Sequence, residues 1–396
     1  VAQTPEIVAE VRIHGNYRTP DANILALAGV TVGQPLDTAG IDAVAERLRK
    51  TGRFQSVDIR KRVRSLTATD QVALIIIVEE FPSTPKGGGS ATLLRRLGDR
   101  VMAIPMLDYI DGYGVAFGGR ISLVGVIGKR GVIGMPLTWG ATRQAAVEID
   151  TTFNGGVIRR IRAGAGLLSR GNPAYDLRDF RQRVWADVTT PAWMATSLTA
   201  RTSWSDVTFG ATHGRLTAVG AGIVIDTRAN PAFPRNAVYV TGWWDRLTPD
   251  TGPAFNRYRV NAHGYVGLVG STVLSVRILS DRADRPVPIY ERPLLGGIDN
   301  LRGFAAGAYA GDNLAAASVE LRIPLHSPMR LGQIGVTAFG DVGAVYDHGE
   351  RLADATRRSG VGIGWYLRAP LIQLGLDVAR GSNGKTRAHV TAGLRF

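Results

Sequence analysis

Residues 257–263 read Arg-Tyr-Arg-Val-Asn-Ala-His, and Val266 and Leu268 continue the pattern. Successive side chains of a β-strand point to opposite faces. Tyr258, Val260, Ala262, Val266 and Leu268 therefore share one face, and Arg257, Arg259, Asn261 and His263 the other. The same division returns along 371–379, where Ile372, Leu374, Leu376 and Val378 oppose Gln373 and Asp377. It returns again at the C-terminus, where Ala388, Val390, Ala392, Leu394 and Phe396 oppose Arg387, His389, Thr391 and Arg395. One such stretch fits any amphipathic strand. Its recurrence from about residue 101 onward decides the fold.

Candidate strands begin near 101, 113, 131, 143, 157, 180, 193, 216, 237, 255, 271, 312, 331, 358, 371 and 386. Sixteen strands then take roughly 18 residues each with their turns, enough for the ~9–11 residues that cross a bilayer. An apolar outer face over a charged inner face inverts a soluble barrel, and lipid outside with water inside selects it. No apolar run reaches the ~18 residues of a membrane helix, so a membrane-spanning form must be a closed barrel. Trp139, Trp193, Trp204, Trp243 and Trp244 fall near strand ends, where an interfacial aromatic girdle is expected. The 49 glycines exceed the usual share of about 7% and follow no collagen period, which suits turns and bends between strands.

The chain has no cysteine, which excludes disulfides and Cys-ligated metal sites. Its net charge of +14 could suggest nucleic acid, but the arginines are scattered over inward strand positions rather than one helix or aromatic platform. The six histidines show no metal-ligand spacing, and neither HExxH nor GxSxG occurs. Gly384-Lys385-Thr386 has alanine at 379 where a phosphate loop needs glycine, so it reads as a hairpin turn. Gly360, Gly362 and Gly364 read as strand glycines, because no helix pattern follows them. The expectation is a protein with no enzymatic activity, no metal and no cofactor.

The N-terminal 80 residues differ in kind. Residues 7–13 alternate like a strand, and Thr19-Pro20 opens a helix with threonine as N-cap and Gly29 as its stop. A second helix begins near Asp37-Thr38, with Ile41, Val44, Ala45 and Leu48 on one face. Strands at about 56–64 and 71–79 complete a β-α-α-β-β order. The basic residues Arg47, Arg49, Lys50, Arg53, Arg60, Lys61, Arg62 and Arg64 are either a solvated face or a contact for acidic headgroups or an acidic partner. Residues 81–100 read as a linker, proline-stiffened and then Gly-Ser-rich. Val1 follows no n-region or h-region, as expected of a mature or trimmed chain.

The N-terminal order, with Gly15-Asn16, Gly33-Gln34-Pro35-Leu36 and Gly52-Arg53-Phe54-Gln55-Ser56-Val57, resembles a POTRA domain. The late stretch Leu294-Leu295-Gly296-Gly297-Ile298-Asp299-Asn300-Leu301-Arg302-Gly303-Phe304 carries a Leu-Arg-Gly-Phe motif in the longest connection, about 281–311. Ile225-Asp226-Thr227-Arg228 with Pro231 and Pro234, Phe339-Gly340-Asp341-Val342-Gly343 and the terminal Phe396 extend the match. Together these resemble the BamA/TamA superfamily of outer-membrane assembly and translocation barrels. The resemblance implies a sixteen-stranded antiparallel membrane β-barrel (101–396) preceded by a small α+β POTRA domain (1–80), the barrel in a bacterial-type outer membrane and the POTRA domain in the periplasm. It also implies that the loop folds into the lumen, with Leu301, Arg302, Gly303 and Phe304 as its lock. Acidic inner-wall residues would hold the arginine, and Glu320 and Asp341 match. Alternation places both carboxylates inward, Glu320 beside Ser318 and Arg322. A guanidinium between carboxylates makes bidentate, charge-assisted bonds that lysine cannot reproduce. The single POTRA domain departs from assembly relatives, which usually carry three or more. Secretion relatives carry two and an N-terminal plug helix.

Three functions stay open on this basis. The first is insertion or translocation of β-structured clients, namely unfolded β-barrel or secreted proteins. A POTRA edge at Val57, Ile59, Lys61 and Val63 would bind them by strand addition. A weakly paired seam would lie between Val101, Ala103 and Pro105 on the first strand and Val390, Leu394 and Phe396 on the last. Pro105 removes a ladder donor there. Outer-membrane lipid and accessory periplasmic proteins are the further expected partners, and nucleic acid is not. The second function is a secretion pore gated by the Arg302 loop, and the third a membrane anchor with no transport role.

Overall fold

In a computed structural model of the chain, the period-two pattern closes into a ring. The structure describes residues 6–16, 19–36, 38–65, 68–80, 101–127, 130–326, 332–369 and 372–395. The chain divides into two compact units, Val1–Leu93 and Leu94–Phe396. The expected linker at 81–100 lies outside the described residues.

The first unit is a four-stranded sheet under two helices. β1 (Glu6–His14), α1 (Asp21–Ala28), β2 (Pro35–Leu36), α2 (Thr38–Lys50), β3 (Phe54–Ser65) and β4 (Ala68–Glu80) follow in order. The sheet order is β2-β1-β4-β3, with β1 parallel to β4 and the other pairs antiparallel. The two-residue strand β2 was missed by the periodicity, which cannot register so short a segment. Val44 and Leu48 of α2 bury against Val8, Leu74, Ile76 and Val78, so the helical stripe meets the inward phase of the strands. The N-cap expectation needs correcting. Pro20, at ψ 147°, is the cap, and its carbonyl accepts from Asn23 and Ile24, while the Thr19 amide donates to Glu80. Gly29 ends α1 in the left-handed region, as expected. Part of the basic cluster is structural: Arg47 donates to the Ala28 carbonyl and Arg49 to that of Val57.

The second unit is a closed barrel. Its first eleven strands are β5 (Val101–Ile110), β6 (Gly114–Val124), β7 (Val132–Gly140), β8 (Thr142–Thr152), β9 (Arg160–Asn172), β10 (Leu177–Pro191), β11 (Thr196–Phe209), β12 (Thr212–Asp226), β13 (Ala237–Pro249), β14 (Phe255–Gly267) and β15 (Val273–Ala283). A long connection holds a 3-10 turn (Ile289–Glu291) and the short ladder of β16 (Leu294–Leu295) with β17 (Tyr309–Ala310). β18 (Asn313–His326), β19 (Gln333–Tyr346), β20 (Arg358–Arg368), β21 (Ile372–Gly381) and β22 (Thr386–Arg395) complete the wall, and β22 pairs back onto β5. Every wall pair is antiparallel, so along the paired stretches the backbone polar groups satisfy one another, as a lipid surround requires.

The alternation sorts outside from inside as the sequence implied. Tyr258, Val260, Val266, Ile372, Leu374, Leu376 and Val378 are exposed on the outer surface. Arg257, Asp245, Asp341 and His389 are buried within. Among the described residues no helix is long and apolar enough to cross a membrane, and the crossing falls to the strands. Trp139, Trp193, Trp204 and Trp244 are exposed, but Trp243 does not join them. It lies on the inward phase of β13, with the Arg201 guanidinium 3.8 Å from its ring centre. The Gly384 turn joins β21 to β22, and Gly360, Gly362 and Gly364 lie in β20.

Candidate functional site

The site is the connection between β15 and β18, which turns into the barrel instead of away from it. Its neck is held first. Val287 and Tyr290 are buried with Val207, Phe209, Leu216, Leu247 and Phe255. Beside them Glu291 accepts from Arg181 of β10 and Arg257 of β14, each at 2.7 Å. Arg257 also grips Asp281 through two bonds of 2.7 Å, and Arg181 grips Asp179. The β16–β17 ladder closes the neck, and the Asn300 side chain bridges the Gly296 amide and the Leu294 carbonyl.

The tip then meets the opposite arc of the wall. Leu295, Leu301 and Phe304 are buried against Leu314 and Ala316 of β18. Between Leu301 and Phe304, Arg302 is only 7% exposed, and every donor of its guanidinium finds an acceptor. Its Nε and Nη2 take both oxygens of Asp341 (β19) at 2.8 Å, and its backbone amide adds a third bond to Oδ2 at 3.0 Å. Nη1 reaches Glu320 (β18) at 2.8 Å and Asp377 (β21) at 3.1 Å. Nη2 also donates to Ser318, whose hydroxyl donates to Asp341 at 2.6 Å. Arg322 takes the other oxygen of Glu320 at 2.7 Å. The guanidinium carbon lies 3.3 Å from the Phe339 ring centre, a cation–π contact on top of the ion pairs. Arg302 and Arg322 face three carboxylates, so losing Arg302 would leave the pocket with an excess of negative charge. A cavity of about 140 Å³ beside the lock, lined in part by His263, Arg277 and Asp299, has room for a few waters.

Two glycines make this approach possible. Gly303 sits at φ +91°, and a Cβ there would come within 2.7 Å of the Gly381 amide. A Cβ on Gly360 would meet the Arg302 carbonyl at 2.0 Å.

The structure brings Leu301, Arg302, Gly303 and Phe304 together with Glu320 and Asp341. Asp377, Ser318, Phe339 and His389 also belong to the site, and the sequence reading did not name them as partners. Alternation alone puts Asp377 and His389 on inward faces, which is the available clue. At the seam, among the described residues, β22 and β5 pair from Thr391↔Ile110 to Arg395↔Met106, five residue pairs. The ladder of β11 with β12 runs fourteen. Among the described residues only β7 with β8 has as few pairs, across a break at Met135–Pro136. Leu394 pairs with Leu107, whereas Val101, Ala103 and Pro105 pair on their other side with β6. Phe396 lies outside the described residues. The Asp111 amide donates to the Val390 carbonyl, so by alternation the position-105 backbone nitrogen faces the seam, and there it is a proline without a donor.

In the first unit β3 is an edge of the sheet, as expected. Its side chains need correcting: Val57 is buried and Ile59 packs on the core, because their phase faces the helices. An added strand would meet the β3 backbone and the outward Asp58 and Arg60. For Lys61 and Val63 only the backbone register is described.

A family model described as the Omp85 superfamily domain matches residues 175–396. The chain belongs to the Omp85 superfamily. A POTRA model, described as a surface antigen variable number repeat, matches residues 6–80. No curated protein matches the chain. Among solved structures, it is similar to the crystal structure of BamA from Haemophilus ducreyi lacking POTRA domains 1–3, at 16% identity and a TM-score of 0.66. That match covers 99% of this chain and 85% of the other. CdiB from Acinetobacter baumannii follows at 12% identity and a TM-score of 0.56, with 99% and 74% coverage. CdiB from Escherichia coli has 13% identity and a TM-score of 0.55, with 100% and 91% coverage. At these identities the likeness is one of fold. An Omp85 barrel with a POTRA domain is a protein of the bacterial outer membrane, and membership carries a role in protein assembly or translocation that acts on protein clients.

Proposed function

We propose that this Omp85 protein inserts β-structured clients into the outer membrane, with its POTRA domain in the periplasm. The observation that carries the reading is the five-pair seam set beside a fully satisfied loop lock. A short seam opens at lower cost than a fourteen-pair ladder. Once open, it presents bare backbone groups to lipid, where each costs several kcal/mol until a client strand pairs with it. That cost drives templated insertion, and the lock keeps the remaining wall in shape meanwhile. The β3 edge of the POTRA sheet would receive the client first by strand addition. The process requires no covalent step and no cofactor.

The test is the folding rate of a urea-denatured model barrel into liposomes, with and without the reconstituted protein. Acceleration that disappears in a folded Arg302→Ala variant supports a lock-dependent insertase. No acceleration by the wild-type protein would sink the reading for the protein acting alone. The plugging loop itself favours a second reading, a gated secretion pore. High conductance on deleting 296–308, without any insertion activity, would favour that pore.

A further inference from the structure

We propose that His389 is a positioning residue that latches the barrel seam to the loop lock. His389 lies on β22, the last strand of the wall, and is wholly buried. Its Nε2 lies 3.0 Å from the Gly303 amide nitrogen, in the residue directly after Arg302. A backbone amide can only donate, so Nε2 accepts and the ring proton sits on Nδ1. Nδ1 then donates to Asp111 at 2.8 Å. Asp111 follows β5, the strand on the other side of the seam, and its own amide donates to the Val390 carbonyl. A single imidazole therefore ties together the loop, the last strand and the turn after the first strand.

The packing around it supports the same junction. Ala306 of the loop lies so near Gly112 that a Cβ on Gly112 would come within 2.4 Å of it. Gly303 in turn presses on Gly381 at the end of β21. The loop thus touches both sides of the seam at one end of the barrel. The charged groups facing the imidazole are Asp111 from the turn, Asp377 directly across on β21 and Arg302 from the loop. Asp377 in turn accepts from Arg302, so the latch and the lock share a neighbour. Withdrawal of the loop removes the donor that Nε2 accepts, and a seam joined by only five pairs loses its buried support. Opening of the seam and release of the lock are coupled through this side chain, with the Ala306–Gly112 packing beside it.

Its part in client insertion rests on the insertase reading, but the coupling is measured without any client. Hydrogen exchange is followed in the full chain reconstituted in lipid, with heat-modifiable gel mobility confirming a folded barrel. His389→Ala is expected to raise exchange roughly tenfold in β5, β22 and residues 301–304, leaving β10–β13 unchanged. His389→Gln should restore most of the protection, because its carboxamide offers an oxygen to Gly303 and an N–H to Asp111. If His389→Ala does not fold, Asp111→Ala breaks the same link from the other side of the seam and is read in the same way. Unchanged seam exchange, a rise shared equally by all strands, or no rescue by glutamine would overturn the latch. A confirmed exchange pattern with no client insertion by the wild type would leave the latch standing and remove the insertase.

Discussion

The neck and the tip of the loop are both held by arginine–carboxylate networks, yet they rest on different parts of the wall. At the neck, Glu291 is gripped from β10 and β14, strands joined to their neighbours by eleven to thirteen residue pairs. At the tip, Arg302 and Gly303 reach β18, β19, β21 and β22, and β22 is one side of the five-pair seam. The charge also sits differently. The neck places an anion from the loop between wall cations, and the tip places a cation from the loop among wall anions. The loop is therefore a strut fixed to β10 and β14 at its base and reaching the seam strand β22 at its end. On the proposed latch, loosening the tip is expected to bear on the seam and loosening the neck is not.

Removing the tip cation should have the largest effect. Arg302→Ala leaves Asp341, Glu320 and Asp377 facing one another with Arg322 still bonded to Glu320 alone, and breaking a buried pair from one side costs about 3–5 kcal/mol. Chemical unfolding in detergent should show that loss, and limited proteolysis should cleave the freed loop. Arg302→Lys should recover only a minor part, since an ammonium cannot span both Asp341 oxygens while reaching Glu320. Glu291→Ala should cost less, toward the lower end near 3 kcal/mol, because Arg181 and Arg257 keep Asp179 and Asp281 as partners. It should leave exchange in β5 and β22 at wild-type levels. Faster seam exchange in Glu291→Ala would break the contrast between the two ends.

Much of the frame was legible from residues alone because a strand has a strict period of two. Lipid-facing Val260 and Leu376 and lumen-facing Arg257 and Glu320 fall on opposite phases wherever the register lies. All sixteen wall strands begin within about four residues of the positions read from the sequence. Arg302, Glu320 and Asp341 emerged because a motif and that phase agreed. Phase says only that a side chain points inward, not which inward side chain it meets. His389 and Asp111 are 278 positions apart and become neighbours only when the last strand closes on the first. Glu291 between Arg181 and Arg257 likewise needs the loop folded into the lumen, and nothing local distinguishes it. Trp243 was misplaced because nearness to a strand end says nothing about which face a ring occupies. Val57 and Ile59 were assigned to a correct edge strand but on the phase that faces its own helices.

The smallest effects should separate the two ends by how closely the wall approaches the loop. At the tip, Gly360 of β20 lies under the Arg302 backbone, and an added methyl would sit 2.0 Å from a carbonyl oxygen that neighbouring bonds hold in place. At the neck, Gly214 of β12 faces the Tyr290 hydroxyl at 3.1 Å and an Asp250 oxygen at 3.3 Å, both the far ends of side chains that can swing. The same Gly→Ala change therefore tests rigidity rather than chemistry. Gly360→Ala should cost about 1–3 kcal/mol, as overpacking against fixed atoms does, and should push the loop off the wall. Gly214→Ala should cost less than about 1 kcal/mol, since a side-chain rotation absorbs it. Unfolding midpoints and loop proteolysis of the two variants make the comparison directly. Equal tolerance at both positions would mean that the tip yields as readily as the neck, and a yielding tip could not transmit loop release to the seam.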